Sequence, residues 1–175
     1  MTSTNSFLGI PVEGDIVRRD PKKKQRPLEE FSPILQAVLN DPSIVEFGWT
    51  QYTPHFNDGD PCEFGVGYPW FRTVENVADA PADEDGEYDD EDTWQMELSS
   101  NETLGTRPRT WDSESRDYRY DDYTGPDVAR YDRCLALHRA MDSEEFDEVL
   151  LAAFGDHAQV TVKKDGIKVD FYDHE

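Results

Sequence analysis

Along the chain the spacing of apolar positions changes from a helical period to a strand period at Ile44. Before it, Ile34, Leu35, Val38 and Leu39 recur on one helical face. Ser32-Pro33 supplies a start, with Ser as N-cap and Pro at the first helical position, and Asp41-Pro42 supplies the stop. From Ile44, Val45, Phe47 and Trp49 alternate with Glu46, Gly48 and Thr50. After a loop, Cys62, Phe64, Val66 and Tyr68 alternate with Glu63, Gly65 and Gly67. The loop carries Asn57-Asp58-Gly59, so two antiparallel strands joined by a reversal are expected.

Further on, Trp94, Met96 and Leu98 alternate as in a short strand, while Ser99 to Gly125 is polar, rich in Arg, Tyr and Asp, and predicts no regular element. Gly125-Pro126-Asp127 then precedes a helix whose inner face reads Val128, Tyr131, Leu135, His138 and Met141. A second helix follows. Asp142 and Glu145 suit a capping box, Phe146, Val149, Leu150, Ala153 and Phe154 form the apolar stripe, and Gly155 is the C-terminal cap. Last comes a hairpin in which Ala158, Val160 and Val162 oppose Ile167, Val169 and Phe171 across a turn at Asp165-Gly166. The expected register sets Val162 against Val169 and Val160 against Phe171, all on one side.

These elements predict an α+β fold: an antiparallel sheet of hairpins with about three helices packed on one face, plus a long acidic insertion. The organisation expected is an extended N-terminal arm over 1–27 and one domain over 28–175. That domain carries the insertion at about 79–92 and the irregular segment at about 99–125. A length of 175 residues suits one core, and no internal repeat interrupts it. With 36% hydrophobic residues and a mean hydropathy of −0.82, that core is small, but 12% aromatic content makes it aromatic-rich. No apolar run approaches the roughly 20 residues of a membrane span, and Met1 to Gly9 lacks the pattern of a signal peptide, so the cytosol is the expected location. Cys62 and Cys134 are too few and too far apart for a disulfide framework and are expected to be thiols.

Charge alters the picture most. The net charge is −22, and Asp79 to Asp132 holds 18 acidic against 5 basic residues. An excess of that size repels nucleic acid and anionic membranes and attracts basic protein surfaces. The densest run, Asp83, Glu84, Asp85, Glu87, Asp89, Asp90, Glu91 and Asp92, contains almost nothing to offset the entropy of ordering and reads as a disordered acidic loop. With Asp121 and Asp122 it forms the candidate partner-binding set. Arg18 to Arg26, a basic run broken by Pro21, reads as a solvated arm, with a nuclear signal and a clamp onto the acidic insertion as alternatives.

Signatures of nucleotide binding, nucleophile elbows and zinc proteases are missing, so a non-enzymatic role ranks above catalysis and no cofactor is implied. Cys134 and His138 share a helical face and could join His55 and Cys62 as a two-Cys, two-His zinc set, but core packing of a thiol and an imidazole is the stronger reading. Asn57-Asp58-Gly59-Asp60 lacks the ligand alternation of a calcium loop. A catalytic arrangement of His55 with Asp58, Asp60 or Cys62 has no third, orienting group. Trp111 and the Arg116-Asp117-Tyr118-Arg119-Tyr120 segment have the composition of a protein interface, and equally of a wall around the acidic loop.

The segment Trp49-Thr50-Gln51-Tyr52-Thr53-Pro54-His55-Phe56-Asn57-Asp58-Gly59-Asp60-Pro61-Cys62-Glu63-Phe64, with the ending Phe154-Gly155-Asp156-His157 through Tyr172-Asp173-His174, resembles a small uncharacterised family of bacteriophage and bacterial proteins. That resemblance covers about a third of the chain by our reading, excludes Asp79 to Tyr123, and carries no catalytic residues over. It implies a phage-type protein acting on its host. The leading expectation is an acidic protein that meets the basic surface of a host nucleic-acid-binding or defence protein, imitating the charge of DNA. Two alternatives are a nucleotide-signal sink using Arg107, Arg109, Arg116 and Arg119 beside Trp111 and Tyr118, and a virion structural part. General solubility at high salt would spread the charge more evenly.

Overall fold

The computed structural model describes residues 5–7, 10–12, 23–56, 58–59, 61–79 and 97–173. Near the start, β1 (Asn5–Phe7) and β2 (Ile10–Val12) pair antiparallel.

Helix α1 (Leu28–Leu39) begins earlier than Ser32-Pro33 suggested. Pro27, with extended backbone at φ −76° and ψ 161°, stands at its N-cap, Glu29 and Glu30 complement the positive end of the dipole, and Pro33 lies inside the helix. The end at Leu39, just before Asp41-Pro42, is as expected.

The central strand is β3 (Ile44–Tyr52). It pairs antiparallel with β4 (Gly65–Val66) and β5 (Trp70–Thr73) on one side and with β8 (Ala158–Lys163) on the other, and β9 (Gly166–Phe171) follows β8 at the edge. Only Gly65 and Val66 of the expected Cys62 to Tyr68 strand join the sheet. The main partner is β5, which alternation could not reveal because all four of its residues are buried. Phe71 sits opposite Phe47 on the core face, and Trp70 lies over Gly48 on the other, where an added Cβ would meet the indole at 2.6 Å.

In the C-terminal hairpin Val162 faces Ile167, Val160 faces Val169 and Ala158 faces Phe171. The register is thus two residues away from the expected one, because the loop is Lys164-Asp165, closed by Lys163 opposite Gly166. A shift of two preserves the alternation, so the apolar set still shares one face.

That face is covered by α3 (Val128–Asp142), α4 (Asp147–Phe154) and α1. Phe31 and Val38 of α1, Tyr131, Cys134, Leu137 and Met141 of α3, and Leu150 of α4 pack with Phe47, Trp49, Phe71, Val160 and Val162. The α+β expectation therefore holds, with a fourth, short helix, α2 (Val74–Asp79), that follows β5 directly. The inner face of α3 is rotated from the expected one: Val128 is exposed, while Arg130 and Leu137 are buried. Asp142 does not open the next helix. α3 runs through Asp142, Glu144 turns the chain at φ 58°, and α4 starts with Phe146 at its N-cap, without a side-chain cap of its own.

The missing cap is supplied from the arm. Gln25 Oε1 accepts from the Glu148 amide at 3.0 Å, and its Nε2 donates to the Glu144 carbonyl at 2.7 Å. The Arg26 amide donates to Glu145 O at 2.7 Å, and its guanidinium lies 4.9 Å from the Phe146 ring centre. Lys23 to Arg26 therefore holds the α3–α4 junction, while Arg18 to Lys22 and the acidic insertion lie outside the described residues.

Candidate functional site

The acidic candidates divide in two. Asp83, Glu84, Asp85, Glu87, Asp89, Asp90, Glu91 and Asp92 lie outside the described residues, as do Trp94 and Met96 of the expected short strand; Asp121 and Asp122 do not. What the structure shows is the residues on either side of the acidic run. Asn76 in α2 stands before the run and Asn101 after it, and Asn76 Nδ2 donates to Asn101 Oδ1 at 3.3 Å. Thr73 and Thr103 join the same network at 2.8 Å, and Asn101 Nδ2 donates to Phe71 O at 2.8 Å. Arg130, buried in α3, spans both stems: Nη1 reaches the Glu75 carboxylate at 3.1 Å and Nη2 donates to Thr103 O at 2.6 Å. The described residues that flank the acidic run thus meet at one hydrogen-bonded rim.

A projection leaves the same rim after one turn of 3-10 helix, Glu102–Leu104. Thr106 and Thr124 exchange two hydrogen bonds at 2.9 Å, closing the base of a ribbon, β6 (Arg109–Asp112) and β7 (Asp117–Tyr120). Gly105, at φ 76°, lets this base close, since a Cβ there would meet the Thr124 carbonyl at 2.6 Å. Regular structure in this segment escaped the sequence reading. Its strands are short, nearly every residue is exposed, and no apolar alternation marks them.

On the ribbon Trp111 faces Tyr118, their rings in a T-shaped contact at 5.0 Å, and the Arg109 guanidinium lies 4.1 Å from the centre of Tyr118. Trp111 is 53% and Tyr120 56% exposed, although aromatic rings normally seek burial. Carboxylates are fixed among them. Asp112 accepts from the Glu114 amide at 2.9 Å, Asp117 from the Tyr118 amide at 2.7 Å, and Asp121 from Thr110 Oγ1 at 2.9 Å. Backbone donors of Glu114 and Ser115 hold the Asp112 carboxyl below its usual range, so it stays ionised. Asp122 is exposed beside Asp121. Arg109, Arg116 and Arg119 are exposed on this projecting ribbon rather than gathered into an enclosure, and Arg107 is engaged with Asp132 at 3.1 Å.

A cleft of about 460 Å³ lies between β4 and the α3–α4 junction. Glu63, Asp142, Glu144 and Asp147 line it with one cation, Lys23, which reaches Glu144 at 3.6 Å. These carboxylates come from distant points of the chain, and only the overall acidity hinted at them.

The four candidate zinc ligands are not brought together. His55 stacks on His157 at 4.8 Å and His138 on Tyr68 at 4.8 Å. Cys134 is wholly buried in the core, whereas Cys62 is exposed. Burial, aided by Asp41, pushes the Cys134 thiol up to about 12, and burial lowers the His138 imidazole. Of the Asn57 to Asp60 turn, Asp58 at φ 26° and Gly59 at φ 96° are described, while Asn57 and Asp60 are not. No family model, curated protein or solved structure matches this chain.

Proposed function

We propose that the protein is a non-enzymatic, phage-type acidic binding protein that acts in the host cytosol and occupies the basic surface of a host nucleic-acid-binding or defence protein. The observation that carries this reading is the shared rim. The described residues that flank the acidic run and the base of the aromatic ribbon meet there, joined through Asn76, Asn101 and the buried Arg130, and the run between those flanks holds eight carboxylates without a Lys or Arg. Carboxylates match the charge that a DNA-binding face is built to receive and gain the same counterion release. Trp and Tyr are the residue types that dominate binding energy at interfaces. Imitation of DNA is favoured where carboxylates are held in place, as Asp112, Asp117 and Asp121 are by their hydrogen bonds.

The test is capture from lysate by immobilised protein. Three further proteins run in parallel: Trp111→Ala/Tyr118→Ala, a chain with Asp83 to Asp92 neutralised to Asn and Gln, and an unrelated protein of equal charge. The expected result is one nucleic-acid-binding or defence protein held by the native chain alone, released by salt and displaced by duplex DNA. Retention equal for the charge control, or unaffected by either set of substitutions, would overturn the reading.

A further inference from the structure

The outer edge of β9 carries a pattern that complements itself. Among the described residues β9 pairs with β8 alone. Along an antiparallel ladder the backbone groups of alternate residues turn toward and away from the partner. The Tyr172 amide donates inward to His157 O at 2.8 Å, one step beyond the β8–β9 ladder and in its register. Counting back by two, Asp170 and Lys168 face β8, and Phe171, Val169 and Ile167 direct their N–H and C=O groups outward. The side chains of Ile167, Val169 and Phe171 also remain 49%, 45% and 77% exposed, on the face that elsewhere carries the core. No proline or bulge interrupts Ile167 to Phe171, and the two charged residues on this edge, Lys168 and Asp170, are of opposite sign.

We infer that two copies of this chain associate through β9, antiparallel about a two-fold axis at Val169, so that the five-stranded sheet continues across the axis into the partner. The register follows from charge. An axis at Lys168 sets Lys168 against itself, and an axis at Asp170 sets two carboxylates together; both are repulsive. With the axis at Val169, each Lys168 faces the other copy's Asp170, each Ile167 faces Phe171, and Val169 faces itself. The outward backbone groups then meet as hydrogen-bonded pairs at Ile167, Val169 and Phe171. Lys168 and Asp170 fall at the narrow, non-hydrogen-bonded positions, with Cα atoms about 4.5 Å apart, where side chains are closest. Within one chain Lys168 Nζ already lies 3.0 Å from Asp170 Oδ2, so association turns one ion pair into a four-charge cluster.

One short strand buries less than the roughly 1,600 Å² of a standard stable interface, so the dimer is weak and depends on concentration. The net charge of −22 opposes it over long range, so added salt strengthens it. Salt has the opposite effect on capture of a basic partner, which separates the two proposals.

Sedimentation velocity from about 1 µM to about 1 mM tests the inference, these being concentrations that span micromolar to millimolar affinity. The native chain should pass from monomer to dimer. Val169→Pro removes an outward N–H and no β8–β9 hydrogen bond, so it should remain monomeric with an unchanged far-ultraviolet spectrum. Lys168→Asp and Asp170→Lys should each be monomeric alone, because each places like charges opposite one another. Mixed in equal amounts they should form a heterodimer, since the new carboxylate at 168 then faces the new ammonium at 170. A native chain monomeric throughout, a dimer that survives Val169→Pro, or a mixture no more associated than its components would overturn the inference.

Discussion

The side-chain amide of Gln51 ties the central strand to the end of α4: its Nε2 donates to the Gly155 carbonyl at 2.5 Å. The same nitrogen donates to Leu150 O at 3.2 Å, and Oε1 accepts from Trp49 Nε1 at 3.0 Å. Gln51 is fully buried and uses both ends of its amide. Gln51→Leu conserves volume but leaves an indole N–H and the Leu150 carbonyl without this partner in the core. The expected loss is about 3 kcal/mol in urea unfolding with an unchanged slope, since a buried unsatisfied group costs roughly 1 to 3 kcal/mol. Gln51→Glu should be worse, because a carboxylate would face two carbonyl oxygens.

Gln25 caps a helix that lies 123 residues further along the chain, through the Glu148 amide. Gln25→Ala should cost about 1 kcal/mol, the usual worth of an N-cap, and should speed hydrogen exchange at the Glu148 amide first. Gln25→Glu keeps the accepting oxygen but turns a second carboxylate oxygen toward the Glu144 and Lys23 carbonyls that Nε2 now reaches, so it should not restore the loss. An effect confined to other amides would mean that the arm does not cap α4.

How much of this was legible in sequence depends on whether a residue's role is local. The α1 stop, the strand from Ile44, the Gly155 cap and the apolar face of the C-terminal hairpin follow from neighbours within a few positions, and the structure has them. Asp142 and Glu145 matched a capping pattern equally well, yet the cap of α4 arrives from Gln25, and no local pattern reports a partner over a hundred residues away. β5 was hidden for a related reason. Trp70, Phe71, Arg72 and Thr73 are buried on both faces, Arg72 because its guanidinium meets the buried carboxylate of Glu46. The ribbon of β6 and β7 buries almost nothing, so it leaves no hydrophobic trace, and the candidate site was legible only as charge and aromatic composition.

Stability should fall in acid, with Asp41 a main contributor. Burial raises its carboxyl pKa, but hydrogen bonds from Ser43 and the Arg133 guanidinium outweigh that and hold it below the usual range. Glu75 and Asp156 are also lowered, against the effect of burial, by hydrogen bonds that include Arg130 and Thr53 respectively. A carboxyl group depressed in the folded state binds fewer protons there than in the unfolded chain. Its contribution is therefore complete above the ordinary carboxylate range and is lost as pH falls through the depressed value. Asp41→Asn retains an acceptor for the Ser43 amide but removes the ion pair. It should be less stable by roughly 1 to 2 kcal/mol at neutral pH, a figure reduced for the partial exposure of Arg133. Denaturant unfolding across the acid range should show the two proteins converging below about pH 4. A constant gap would assign the loss to packing rather than to charge.

The two cysteines should differ sharply in reactivity. Cys62 is exposed, whereas Cys134 lies in the core with its thiol pushed up to about 12, burial being the main cause. Only the thiolate attacks a disulfide reagent, so Cys134 is protected both by its protonation and by lack of access. In the native protein an aromatic disulfide reagent should titrate one thiol per chain rapidly, and the second should react only as the chain opens. Its rate should then rise with urea as the unfolded fraction rises. Cys134→Ala should cost about 1 kcal/mol as a small cavity, while Cys134→Ser should cost more, because it buries a hydroxyl among apolar side chains. If Cys134 instead reacted rapidly in the native state, or if Cys134→Ser were as stable as Cys134→Ala, its setting would be open and polar. Cys134 would then regain its place as a candidate metal ligand.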